Sequence, residues 1–131
     1  MNRLSVRTTR REEFIDITGL VRDELSRAGS GRDGLCVAYC PHTTAGLTIN
    51  EGADPAVAAD LLVGLDRLVA GDVAWKHLEG NSPAHLKAAL VGTSVQVVIV
   101  DGDLALGTWQ RVFLCEFDGP RTREVWLRFA A

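Results

Sequence analysis

Long apolar runs, basic stripes and paired cysteines are all missing from this 131-residue chain, and each absence narrows its function. No stretch approaches the length needed to span a bilayer, and the N-terminus lacks a signal-peptide core, so a soluble cytoplasmic protein with no membrane partner is expected. Acidic and basic residues are mixed, with a net charge of −3, which argues against nucleic acid as the main partner. Three cysteines are an odd count and suit a reducing compartment. Cys36 and Cys40 stand four apart on an expected strand, so their Cα atoms should be roughly 13 Å apart, beyond the ~7 Å reach of a disulfide. Free buried thiols are expected. The sequence holds no repeat, linker, phosphate loop, dinucleotide fingerprint, nucleophile elbow or His-Glu-x-x-His metal motif.

What is present supports a packed core. Apolar residues make up 47% of the chain, and a domain of this size buries roughly two-thirds of its unfolded surface. Leu4, Val6 and Thr8 alternate with polar residues as a half-buried strand does. Leu20, Val21, Leu25 and Ala28 then recur at helical spacing up to Gly29, and Ser30–Gly34 reads as a turn. Leu35–Cys40 is nearly all apolar, the pattern of a strand covered on both faces. Gly46–Asn50 reads as a short strand.

Asp54-Pro55 marks a helix start, the Asp as cap and the Pro preorganised for the first turn. Val57, Ala58, Leu61, Leu65, Leu68 and Val69 form its expected core stripe, with a stop at Gly71. Ser82-Pro83 repeats the signal, with Leu86, Ala89 and Leu90 as the apolar stripe up to Gly92. Strands follow at Val95–Val100, Leu104–Leu106, Trp109–Phe117 and Glu124–Phe129, separated by the Asp101-Gly102 and Asp118-Gly119-Pro120 turns. The reading is one α+β domain over residues 1–131.

Chemistry should gather around the three histidines, His42, His77 and His85. His42 opens a loop after a buried strand, where a rigid scaffold can present a side chain to a cleft. His85 falls at the third position of the third helix if Ser82 caps it, where the helix dipole disfavours an imidazolium. A neutral imidazole suits a metal ligand or an electrophilic catalyst. That helix start can also gather an anion, with Lys87 adding charge. Glu51 is a candidate acid/base or orienting group, and Asn50 lies beside it. Gln110 is the expected contact residue of Gly107-Thr108-Trp109-Gln110, with Trp109 in the core. Spacing alone does not assemble a metal site.

Four segments in order carry a resemblance: Pro41-His42-Thr43-Thr44-Ala45, Asn50 to Pro55, His77 to Lys87, and Gly107 to Gln110. They resemble the YjbQ-like family, whose members are often labelled secondary thiamine-phosphate synthases. The resemblance implies an α+β sandwich that forms a homotrimer, with His42, His77 and His85 as metal or catalytic histidines. A divalent metal ion, zinc or magnesium, is implied with them. Catalysis would fall to Glu51 and His85, and binding of a phosphorylated small-molecule ligand to Asn50, Ser82, Lys87 and Gln110. The chain departs from the longer bacterial variant, which carries an acidic Asp-Asp-Met stretch where Asn81-Ser82 stand here. A non-catalytic trimeric module that binds a metal or metabolite is the alternative reading.

Overall fold

The computed structural model describes residues 1–29, 32–69 and 73–131. Its elements run β1 (Asn2–Arg7), β2 (Glu13–Asp16), α1 (Thr18–Ala28), β3 (Gly34–Tyr39), β4 (Ala45–Glu51), α2 (Pro55–Leu68), α3 (Ser82–Val91), β5 (Ser94–Val100), β6 (Asp103–Leu104), β7 (Gln110–Glu116) and β8 (Thr122–Ala130). Two antiparallel sheets result, ordered β1-β8-β3-β5-β6 and β2-β7-β4. The fold is α+β, as the sequence predicts.

Strand β7 organises the layers because it is apolar on both faces. Val112 and Leu114 join Leu4, Val6, Leu47, Val125 and Leu127 in a core shared by the two sheets, to which α1 adds Val21 and Leu25. Phe113 and Cys115 alternate with them onto the opposite face and meet Ala84 and Ala88 of α3 and Leu62 and Leu65 of α2. The three-stranded sheet is therefore the middle layer, between the five-stranded sheet and the α2/α3 pair. Burying a side chain such as Phe113 contributes about 1.5–3 kcal/mol.

The local signals mostly hold. Gly29 ends α1 in the left-handed region, φ 57°, and the Asp54 carboxylate accepts from Ala56 N at 2.9 Å as the α2 cap. Asp101 and Gly102 both have positive φ, as a two-residue hairpin turn requires, and join β5 to β6. Of the expected turn Ser30–Gly34, residues 30 and 31 lie outside the described residues and Gly34 already opens β3, and the helix stop at Gly71 lies outside them too.

Three sequence expectations need correction. β3 is covered on one face only: Cys36 and Ala38 point inward, whereas Tyr39 is exposed and Leu35 and Val37 are half-covered. The outer face of that sheet also carries Trp126, whose ring is 5.9 Å from Tyr39 and is capped by Arg3 at 5.4 Å. On α3 the buried residues are Ala84, Lys87 and Ala88, so Leu86 and Leu90 face outward. Leu68, expected in the α2 stripe, is 74% exposed at the helix end. The three cysteines are free and buried, as expected. Burial raises the Cys36 thiol to about 11, so it is an unreactive filler.

Candidate active site

The His42 loop begins where β3 leaves its sheet. The last β3–β8 pair is Tyr39 opposite Trp126, and Pro41 breaks the ladder because it has no N–H. The next inward amide of β8, Glu124 N–H, donates instead to His42 Nε2 at 2.9 Å. Burial, and after it the Arg123 guanidinium, push the His42 pKa below its ordinary value.

Below this loop lies a buried polar brace. Glu116 is 0% exposed and falls in phase with Val112 and Leu114, so it faces the shared core. Its carboxylate accepts from Arg123 Nε at 2.9 Å, from Thr8 Oγ1 at 2.8 Å and from Asp118 N at 3.1 Å. Arg123 is buried too, and its Nη2 donates to Thr44 Oγ1 at 2.8 Å, two residues from His42. Burial alone would raise the Glu116 pKa, but the hydrogen bonds from Arg123, Thr8 and Asp118 hold it below the ordinary glutamate value. The sequence reading missed this pair. Its signal was present: a glutamate in an inward phase of Val-Phe-Leu-Cys-Glu-Phe, with an arginine in the inward phase of the next strand.

The other two histidines come from α3 and the segment before it. His42 and His85 line one hollow of about 290 Å³ together with Thr43, Ala88, Ala89 and Thr93. The His77 and His85 rings meet edge to face, their centres 5.2 Å apart, and Glu79 lies 3.8 Å from His77 Nε2. The helix cap is Asn81 rather than Ser82, and it caps without its side chain. Ser82 is thus the first helical residue and His85 the fourth. The His85 N–H already donates to Asn81 O at 3.3 Å, so His85 stands past the free N–H groups at the head of the helix. Asn81 Nδ2 donates to Asp118 at 2.9 Å, tying the start of α3 to the β7–β8 connection.

Of the three histidines, His77 and His85 are the two whose rings stand side by side. Two imidazoles on one tetrahedral ion, with bonds near 2.1 Å, place their ring centres roughly 5–6 Å apart, and His77 and His85 already stand at such a separation. In His42 the Nε2 lone pair is taken up by Glu124 N–H. Among the described residues, no group of three His, Cys, Asp or Glu side chains is assembled to hold an ion.

Lys87 is not available to an incoming phosphate. It is 3% exposed, and its Nζ donates to Glu12 at 2.7 Å and to Asp66 at 3.1 Å. Burial would lower its pKa, but the bonds and charges of Glu12 and Asp66 outweigh that and raise it above the ordinary lysine value. The expectation failed because α3 turns the Lys87 face, not the Leu86 face, toward the protein. Lys87→Met should therefore destabilise the fold by about 1–3 kcal/mol in urea unfolding. Glu12 supplies most of that loss, because Asp66 is largely hydrated. A fully stable Lys87→Met protein would restore the phosphate role.

Glu51 lies away from the histidines. It lines a cavity of about 430 Å³ with Arg10, Glu13, Asp16 and Asp54 around a floor of Phe14, Leu62 and Phe113. Glu51 stands opposite Gln110 on the β4–β7 ladder, so these two site residues are neighbours. Asn50 Oδ1 accepts from Glu51 N at 2.8 Å. Gln110 Oε1 accepts from Gly107 N at 2.8 Å and so folds onto its own turn, while Trp109 is 62% exposed. Trp109 is therefore a surface group and not a core one, while Gln110 is exposed as well, with its amide oxygen engaged on its own turn.

Comparison with known proteins places the chain. The sequence profile described as UPF0047 protein YjbQ-like matches residues 2–131. The UPF0047 protein MJ1081 of Methanocaldococcus jannaschii is 48% identical over 94% of this chain and 88% of its own length. The UPF0047 protein YugU of Bacillus subtilis (strain 168) is 47% identical over 95% of each. The crystal structure of an uncharacterized YjbQ/UPF0047-family protein of Clostridium acetobutylicum superposes with a TM-score of 0.94 at 49% identity, covering 98% of this chain and 99% of that one. No helix among the described residues is long and apolar enough to cross a membrane. With the same topology and close to half of its residues shared across almost the whole chain, this protein belongs to the YjbQ-like UPF0047 family.

Proposed function

We propose that the chain is a transferase of the thiamine-phosphate synthase type, assisted by a divalent ion and acting on phosphorylated small molecules. In that reaction the thiazole nitrogen of one substrate attacks the methylene carbon of a pyrimidine diphosphate. An N–C bond forms, the C–O bond breaks, and pyrophosphate leaves with the electron pair. The observation that carries the reading is the hollow where His42 and His85 meet, with His77 packed on His85 at the head of α3. The uncapped start of α3 offers the Ser82 N–H and hydroxyl to the leaving diphosphate. His77 and His85 would hold the ion, and imidazole donors favour zinc over magnesium, which prefers oxygen. Such an ion supplies positive charge to the departing diphosphate.

Glu51 and Gln110 are distant from this hollow within one chain, which supports a working homotrimer in which a neighbouring copy brings them to the histidines. Exposed apolar groups at Tyr39, Leu78, Leu90, Val98, Val100 and Trp109 supply surface for such contacts. Light scattering should return about three times the 14.2 kDa chain mass; a monomer throughout the micromolar range would sink the trimer. The burial of Lys87 favours the second reading, a non-catalytic module that binds a metal or metabolite, because it removes the cation assigned to phosphate. Turnover separates the two. Incubation with the pyrimidine diphosphate and the thiazole phosphate should release pyrophosphate, and His85→Ala should abolish the release. Binding of both substrates without release would leave the module.

A further inference from the structure

We infer that His42 works as a neutral ring with its proton on Nδ1, a fixed hydrogen-bond donor for an oxygen of the ligand, and that it takes no part in metal binding. The inference rests on the reading above for the identity of the ligand, but its chemistry follows from one bond. A neutral imidazole has a single in-plane lone pair to share. In His42 that pair, on Nε2, accepts Glu124 N–H at 2.9 Å.

The donor in this bond cannot change its role. A backbone N–H can only donate, and Glu124 belongs to β8, which is held on one side by β1 through Ser5. On the other side β3 has already left the ladder after Tyr39. The imidazole therefore replaces a missing strand carbonyl, and turning it away would leave the amide without that acceptor. Rotating the ring by half a turn would set a carbon against the N–H, so the pattern of bonding fixes which atom is nitrogen.

The proton must then sit on Nδ1. An ion could bind Nδ1 only if the proton moved to Nε2, which would bring N–H against N–H. Nε2 is equally closed to an ion while Glu124 holds it. No other side chain bonds the His42 ring among the described residues, and Asn81 Oδ1 is the one buried side-chain polar atom there that lacks a partner. Nδ1–H is thus accessible rather than sealed in the core. In a hollow otherwise lined by Thr43, Thr93, His85 and two alanines, such a donor selects an acceptor. Phosphoryl and carbonyl oxygens qualify, and cations do not.

The full chain, labelled with nitrogen-15, tests this through long-range nitrogen–proton NMR at neutral pH, with the histidines assigned by single substitutions. His42 should show a protonated Nδ1 and a hydrogen-bonded, unprotonated Nε2, both unmoved by one equivalent of zinc. An Nε2–H tautomer, or His42 nitrogens that shift with zinc, would overturn the inference. If zinc moves none of the histidines, the metal reading falls while the His42 tautomer stands. Inorganic pyrophosphate provides the ligand arm, and it should shift the Nδ1–H resonance of His42. Pyrophosphate that moves His77 and His85 but leaves His42 untouched refutes the donor role. Pyrophosphate that moves no histidine refutes the phospho-ligand reading, and the tautomer and zinc results still decide the inference.

Discussion

Replacing Arg123 with methionine should cost about 3–5 kcal/mol of stability, read as a lower midpoint of chemical unfolding at an unchanged slope. Methionine fills much of the space but leaves Glu116 charged, without solvent and without its main partner. The paired variant Glu116→Leu with Arg123→Met should recover part of the loss, since two apolar groups leave no stranded charge. Recovery stays incomplete because the Thr44 hydroxyl and the Asp118 N–H lose their partners as well. The same pair sets an acid limit. A carboxylate whose folded pKa is depressed contributes stability above its unfolded pKa, about 4.3, and loses it as pH falls through the folded value. Unfolding of the parent should thus set in below about pH 4, and the double variant should have a shallower acid dependence. A parent and a double variant with identical acid profiles would remove Glu116 from this role.

His85→Ala should lower zinc affinity by on the order of 100-fold or more, since loss of even an outer hydrogen-bond partner of a metal ligand costs roughly 10–100-fold. The fold should survive. His85 is half-buried in the first turns of α3, and alanine is the strongest helix former. Calorimetric zinc titration and circular dichroism on the same sample check both statements. Unchanged zinc affinity would remove His85 from the metal site; loss of helicity would make it a structural residue.

Local chemistry was legible in the sequence and facing was less so. Asp54-Pro55, Gly29 and Asp101-Gly102 act within a few residues, so their caps and turns could be read directly. The α3 stripe misled because the segment is apolar nearly all round, and leucines could face either way. Only the fold shows that Ala84 and Ala88 pack on Phe113 and Cys115, and that rotation carries Lys87 inward and Leu86 outward. For the site, the meeting of His42 with His85 was anticipated as a cluster. The bond from Glu124 to His42 spans 82 residues and leaves no local trace. Glu51 and Gln110 face each other on the β4–β7 ladder and, within one chain, Glu51 lines a different cavity from His42 and His85, a separation that motif order does not reveal.

The edges of the sheets bear on how copies of the chain can add to one another. On one side the five-stranded sheet ends in β6, two residues long, and on the other in β1, where Arg3, Ser5 and Arg7 alternate with the core residues. The outer edge of β4 is partly used, since Leu47 N–H donates to Gly92 O at 3.1 Å. Short, charged or occupied borders of this kind are poor templates for strand addition, the route by which β proteins run into fibrils. Growth by sheet extension is disfavoured at these borders.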